Sequence, residues 1–345
     1  MTGRTGAGDV LAGSPSELEG FNATASELKR MVISAVEETL GDSILLSGGL
    51  DTSIVATVAS TFRRRGEGGL KAYTVILKGA PSPDLEYSKL IAGRLGLKHD
   101  ILGVSVDEVE GALPDVISVL GSFDPMEVRN SVAAFIGLRR AQADGFHAVM
   151  TGDAADELFA GYGFIFRLPE KQAKEALVHL WRVMHFSSVP LAESLGIAAR
   201  LPFLQGRLKE FAMHRVRYQY LVGRRDGTGE LFGKYVLRAA FKGMLPEAIT
   251  WRTKTPIEQG SGTTALQGWY AQHVRDAEFG AKRKGYLERD GVRIRDKEQL
   301  AYYDVYRRVH GPPRPLDPSQ RACPACGSNV PDAATFCTTC GEYPI

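Results

Sequence analysis

Apolar positions along this chain change period repeatedly, and the changes mark out its elements. From Ser26 to Leu40 the apolar residues Leu28, Met31, Val32, Ala35, Val36 and Leu40 recur at helical spacing, predicting an amphipathic helix with one buried stripe. A short apolar run at Ile44–Leu46 then reads as a buried strand, followed by a helix over about 52–64. The alternation continues with a strand over 72–77, a helix over 84–95 and a strand near 100–104. Helices are predicted over 106–120 and 128–143, and His147 to Met150 returns as a further buried strand. Strands alternating with helices imply an α/β fold built on a doubly wound parallel sheet, whose ligands bind at the carboxyl ends of the strands.

Beyond Gly262 the pattern becomes helical and charged. Leu266, Trp269, Tyr270 and Val274 fall on one face, and Leu300, Tyr303, Val305, Tyr306 and Val309 on another, both read as packing. At the start, residues 1–20 are rich in Gly, Ser, Thr and Pro and have no apolar h-region, which predicts a disordered tail and neither signal peptide nor membrane anchor. The predicted division is a main domain over 21–309, a Pro-rich linker over 310–320 and a small module over 321–345. Four prolines in that linker rule out helix and central strand. A cytoplasmic protein is the expectation.

Composition narrows this little. With 44% hydrophobic and 24% charged residues among 345, the chain can build a sizeable core, and a formal net charge of +2 gives no case for a nucleic-acid or membrane partner. Basic runs such as Arg63-Arg64-Arg65 and Lys282-Arg283-Lys284 read as solvated helix faces.

The chemistry is concentrated in three stretches. In the first, a strand empties into Ser47-Gly48-Gly49 before a helix opens, a layout suited to an anion. Glycines let backbone N–H groups approach a phosphate, the helix dipole adds positive potential, and the Ser47, Thr52 and Ser53 hydroxyls add donors. Asp51 then needs a cation between itself and the anion, most simply magnesium. In the second, Thr151-Gly152-Asp153-Ala154-Ala155-Asp156-Glu157 places three carboxylates within five residues directly after a strand, an arrangement that repels itself without a metal or cationic partner. Val75 and Ile76, at the end of the second strand, suit either an adenine pocket or plain sheet core.

The third stretch holds every cysteine: Cys323, Cys326, Cys337 and Cys340, two Cys-x-x-Cys pairs ten residues apart, with Gly327 and Gly341 after them. This spacing suits one zinc held by four thiolates, which replaces a core that about 20 residues cannot build; two disulfides are the alternative. Closed coordination leaves this zinc a structural role, and the module on its tether suits docking of a protein, a carrier-borne substrate or RNA.

Ser47-Gly48-Gly49-Leu50-Asp51-Thr52-Ser53 resembles the pyrophosphate loop of the ATP pyrophosphatases. Together with the Thr151–Tyr162 cluster, Gly196–Leu204, Gly233–Arg238, Leu245-Pro246 and Trp251-Arg252-Thr253-Lys254, it resembles the synthetase domain of the asparagine synthetase family over about Leu28 to Gly262. That resemblance implies an adenine nucleotide alpha hydrolase-like fold and an ATP-dependent, AMP-forming ligase that adenylates a carboxylate and passes the acyl group to ammonia or an amine.

It also implies that Ser47, Gly48, Gly49, Leu50, Thr52, Ser53 and Gly152 contact ATP and that Asp51 and Asp156 hold magnesium. Lys234 adds charge near the pyrophosphate, Lys254 stabilises the transition state, and Asp153 positions the amine or takes its proton. The chain departs from the family in three respects. About 40 residues precede the loop, so ammonia or a separate amidotransferase is the expected nitrogen source. Asp153 stands where asparagine synthetases carry a glutamate, and Met184 and Ser187 stand where they place an Asp and an Arg. The acyl substrate, free or carrier-borne, is therefore left open. An RNA-modifying enzyme of the same loop class and a non-catalytic scaffold are the rival expectations.

Overall fold

The computed structural model describes residues 14–63, 69–225 and 227–345. Five parallel strands form the central sheet: β1 (Ser43–Leu45), β2 (Lys71–Leu77), β3 (Lys98–Val104), β4 (Ala148–Met150) and β5 (Ala198–Arg200). Their order is β3-β2-β1-β4-β5, all parallel, with Ser43 of β1 paired to Lys71 on one side and Val149 on the other. Chain direction across the sheet reverses between β1 and β4. Both of the polar stretches after strands, at Ser47 and at Thr151, emerge at that switch point, the usual crevice for ligands in such sheets.

Helices cover both faces. α1 (Pro15–Glu38), α2 (Leu50–Phe62) and α3 (Asp84–Leu95) bury Leu28, Val32, Ile54, Val55 and Ile91 in one apolar cluster. α4 (Val106–Leu120) and α5 (Pro125–Ala143) bury Val109, Val116, Val132 and Phe135 in the other. Val75 belongs to this second cluster. The C-terminal helix Lys297–His310 packs there too: Leu300, Tyr303, Val305 and Tyr306 are buried as its apolar spacing predicted, Tyr302 is buried beside them, and Val309, read as part of the same face, is exposed.

Several boundaries differ from those read off the periodicity, and two of them matter most. The tail predicted over 1–20 gives way at Ser14. α1 starts there because Pro15 occupies its first turn and the Glu17 carboxylate accepts a 2.8 Å hydrogen bond from the Ser14 N–H, while Phe21 and Ala25 are buried against the body. Residues 1–13 and Arg64 lie outside the described residues. The second difference is that α2 opens at Leu50 and not at Thr52, which puts Asp51, Thr52 and Ser53 in its first turn.

The cysteine module is not a knob on a free tether. Residues 311–321 form neither helix nor strand, as the prolines require, yet the segment is pinned: the N–H groups of Leu316 and Asp317 donate to Asn329 Oδ1 at 2.6 and 2.9 Å. The module itself is welded to the α/β body. Phe123 N–H donates to Thr339 O at 2.8 Å, Gln299 Nε2 to Cys340 O at 2.7 Å and Arg293 N–H to Ala325 O at 2.8 Å. All four cysteines are buried within the second cluster, together with Phe123, Tyr303 and Tyr306.

Cutting the chain after His310 uncovers that part of the core, where each large side chain brought into water costs about 1.5–3 kcal/mol. The truncated chain is expected to melt at least ~10 °C lower than the full chain or to be insoluble, since 1 kcal/mol is worth about 2–4 °C in a domain of this size. Paired thermal melts followed by dye binding check this; coincident melts show the module to be an independent appendage.

Candidate active site

The first loop owes its shape to sterics. Gly48 has φ +68°, and a Cβ there falls 2.3 Å from the backbone of Tyr87 and Ser88, so only glycine fits. Thr74 Oγ1 donates to Leu46 O at 2.5 Å and ties the strand end to β2. Gly49 N–H donates to Ser47 Oγ at 3.2 Å, and Ser47 Oγ lies 3.1 Å from Thr52 Oγ1. The buried Ser53 hydroxyl has no hydrogen-bond partner among the described residues. With the first-turn amides of a 13-residue helix beside it, the loop is a cradle for an anion.

The second loop lies directly against the first. A Cβ on Gly152 falls 2.9 Å from Asp51 Cβ and from Thr52 N, so glycine permits this contact. The loop then turns through Ala154, at φ +76°, into the one-turn helix α6 (Ala155–Leu158), which carries Asp156. Two aspartates, each in the first turn after its strand, thus point into one crevice.

Their countercharges come from far along the chain. Lys234 Nζ bridges Asp51 Oδ2 at 2.6 Å and Asp156 Oδ1 at 2.7 Å, and Lys254 Nζ reaches Asp156 Oδ2 at 2.8 Å. Lys234 is 3% exposed and sits in the left-handed region at φ +56°. Burial opposes ionisation of Asp156, but the two lysines outweigh it and hold this carboxyl below its ordinary range. Burial dominates at Asp51 and raises its pKa, Lys234 only partly offsetting it. Asp156 and Asp51 keep Lys254 protonated against desolvation, raising its pKa. Asp51 Oδ1 is buried with no hydrogen-bond partner among the described residues, an orphaned hard oxygen that fits a magnesium ligand.

The cleft above this cluster is lined by Ser47, Asp51, Lys234, Arg252, Lys254 and Thr255, among others. Val75 and Ile76 reach the same end of the sheet, but the Val75 side chain is a core side chain. Asp153 stands at the edge of the site, where its Oδ2 accepts hydrogen bonds from Thr151 Oγ1 at 2.9 Å and Ser188 Oγ at 2.5 Å. Burial raises its pKa, and the two hydroxyls work against that rise.

Sequence reasoning missed Ser188, Asp84, Arg238 and a role for Arg252. Arg252 Nη1 donates to Ser47 O at 2.9 Å and Nη2 to Asp84 Oδ1 at 2.6 Å. Arg238, from the helix Tyr235–Ala240, donates to three backbone carbonyls. Both arginines lie inside stretches already singled out, Gly233–Arg238 and Trp251–Lys254, so their presence was visible and only their partners were not.

A family model described as "Asparagine synthase" matches residues 24–193 and 190–304. This chain belongs to the asparagine synthase family. It is 29% identical over 351 residues to the probable glutamine-hydrolyzing asparagine synthetase of Dictyostelium discoideum, a match covering 93% of this chain and 62% of that one. It is 28% identical over 305 residues to asparagine synthetase B of Escherichia coli, covering 83% of this chain and 52% of the relative. A rice asparagine synthetase is 31% identical over 252 residues, 68% of this chain and 42% of its own. The family member described here thus spans about half the length of the curated relatives it matches. Among the described residues no helix is long and apolar enough to cross a membrane.

Replacing Lys234 by Met leaves two buried carboxylates with one shared cation, a loss of about 3–5 kcal/mol for a broken buried pair. The sign with pH follows from the two shifts. The raised pKa of Asp51 costs stability as pH rises above 3.8, whereas the lowered pKa of Asp156 adds stability above 3.8 that is lost as pH falls. Without Lys234 the second contribution shrinks and the first grows. Urea unfolding of Lys234→Met is therefore expected to show a larger deficit at pH 8 than at pH 5.

Proposed function

We propose that this chain is an ATP-dependent, AMP-forming ligase that adenylates a carboxylate and transfers the acyl group to ammonia or an amine. The observation that carries this is the meeting of Asp51, Asp156, Lys234 and Lys254 against the glycine loop at the sheet's switch point. Family membership supports it.

A carboxylate resists an amine because oxide is a poor leaving group. In the proposed first step a carboxylate oxygen attacks the α-phosphorus of ATP, the bond to the β,γ-pyrophosphate breaks, and negative charge grows on the leaving oxygens. The amides and hydroxyls of Ser47 to Ser53 bind those oxygens. The Lys254 ammonium, held charged by Asp156, meets the new charge; a preorganised donor of that kind is worth about 10²–10³ in rate. Asp51 and Asp156 would hold magnesium, whose chemistry when bound is to neutralise phosphate oxygens.

In the second step the amine attacks the acyl carbon, AMP leaves, and a proton must be taken from nitrogen. We assign that proton to Asp153, one oxygen of which accepts from two hydroxyls and leaves the other for the amine. The acyl donor is a free or carrier-borne carboxylate, and ammonia or a separate amidotransferase supplies nitrogen. Delivery of sulfur to a tRNA base is disfavoured, because all four cysteines of the chain converge on one buried centre and none is left for the cleft.

That centre is proposed to hold zinc. Its four sulfurs lie within 4.8 Å of one another, with Cys323–Cys340 at 3.7 Å and Cys326–Cys337 at 3.8 Å. A tetrahedron with zinc–sulfur bonds of about 2.3 Å has edges of about 3.8 Å. Disulfides require about 2.05 Å and do not fit. Gly327 and Gly341 take φ of +78° and +73°, forming the two knuckles.

Pyrophosphate release, screened over a panel of carboxylates with and without ammonia, tests the activity; a folded enzyme that releases none with any acid–amine pair refutes it. With an active pair, the rate of amide formation is expected to rise with pH through a group titrating above the ordinary 3.8 of aspartate, because Asp153 must be deprotonated to accept a proton. Ser188→Ala removes a hydroxyl that favours the carboxylate and should move this limb to higher pH, and Asp153→Asn should abolish it. Elemental analysis is expected to find one zinc per chain, and about none in Cys337→Ser; iron or no metal in the intact chain overturns the zinc assignment.

A further inference from the structure

Lys254 lies in a stretch, Arg252 to Pro256, that forms neither helix nor strand, so no ladder of backbone hydrogen bonds fixes its position. Two buried guanidinium groups supply what the backbone lacks. Arg238 donates from Nε to Gly233 O at 3.0 Å, and from Nη1 to Thr250 O at 2.5 Å and to Arg252 O at 3.2 Å. It thereby joins the turn that carries Lys234 to the stretch that carries Lys254. Arg252 extends the joint to the phosphate loop through Ser47 O and to α3 through Asp84, and its guanidinium lies 4.2 Å from the Tyr87 ring centroid. The two arginines are 4% and 7% exposed, and Asp84 is 7% exposed.

We propose that Arg238 and Arg252 are positioning residues that together clamp the Lys254 segment onto the phosphate loop and so set where the lysine ammonium meets the reacting phosphate. The clamp rests on the adenylation proposed above for its catalytic consequence, though its structural consequence stands alone. Arginine is required because each guanidinium serves acceptors on different segments at once. A lysine keeps the charge but offers a compact point donor that cannot span Ser47 O and Asp84 together. With one arm gone the segment shifts, and a displacement near 1 Å at a catalytic group can cost about 10²-fold in rate.

The test combines kinetics with local proteolysis, using Arg252→Lys, Arg238→Lys and Asp84→Asn in the full chain. Each is expected to lower kcat for pyrophosphate release by about 10²-fold while KM for ATP changes less than about threefold. In a Lys254→Ala background, Arg252→Lys should cost less than about threefold more, because the clamp then has nothing to place. Native-state trypsin, with sites found by mass and each protein held at the same interval below its own melting temperature, should cut after Lys254 at least ~10-fold faster in each variant than in the wild type. Additive losses with Lys254→Ala, a change confined to KM, or unchanged cleavage in folded Arg252→Lys and Asp84→Asn overturns the clamp. If no carboxylate supports turnover in the wild type, the adenylation proposal fails and the trypsin comparison still decides the clamp.

Discussion

Two aspartates buried side by side cannot both stay ionised without positive charge between them, and much of this architecture follows from that. Asp51 and Asp156 are neighbours because β1 pairs directly with β4, and each residue lies in the first helical turn after its strand. At an effective dielectric constant near 20, unit charges about 4 Å apart interact by roughly 4 kcal/mol, comparable with a large share of a domain's net stability. Lys234 and Lys254 supply the attraction that cancels this, from positions 183 residues beyond Asp51 and 98 beyond Asp156. The segment after β5 is therefore required to fold back over the sheet's carboxyl edge. An anionic ligand entering the same crevice meets a charge arrangement already balanced and already in place, which is the condition for electrostatic preorganisation.

Holding the arrangement has a conformational cost. Ala154, Ala160 and Lys234 all have positive φ, and all three flank the aspartate–lysine cluster. Each such residue costs about 1–3 kcal/mol and persists only where packing fixes it. Here the surroundings do fix it: Ala154 and Ala160 are fully buried in the first apolar cluster, beside Leu158 and Phe159. Strain has accumulated at the site and not along the outer strands, as expected where backbone is bent to aim charged groups.

On the opposite face, α5 connects the cysteine centre to the neighbourhood of the cleft. Asp124, its capping residue, follows the segment bonded to the module, since Ser122 Oγ donates to Thr338 O at 2.7 Å. Five and six residues further on, Thr263 Oγ1 donates to Arg129 O at 3.1 Å and Asn130 Oδ1 accepts from the Glu258 N–H at 3.0 Å. Those partners lie just beyond the Lys254 segment. A module that looked like a separate recognition device along the chain is part of the support for the α/β body.

By itself the sequence determined the alternation of strands and helices, the glycine loop, the acidic cluster after β4 and the four-cysteine spacing. These are local: the period of apolar residues, the need for glycine at a turn and the reach of a Cys-x-x-Cys knuckle are settled within a few neighbouring residues. It missed the start of α1 at Pro15, because a capping turn rich in Ser and Glu has the composition of a tail. Only the tertiary structure decided that Lys234 bridges both aspartates, that Ser188 bonds Asp153, and that Arg238 and Arg252 tie the Lys254 segment to the phosphate loop. It also decided that the cysteine module is buried against Phe123 and Tyr303. In nearly all of these cases a side chain meets a partner tens to hundreds of residues away, and local spacing contains no information about which distant segment a long polar side chain will reach once the sheet has brought its edges together.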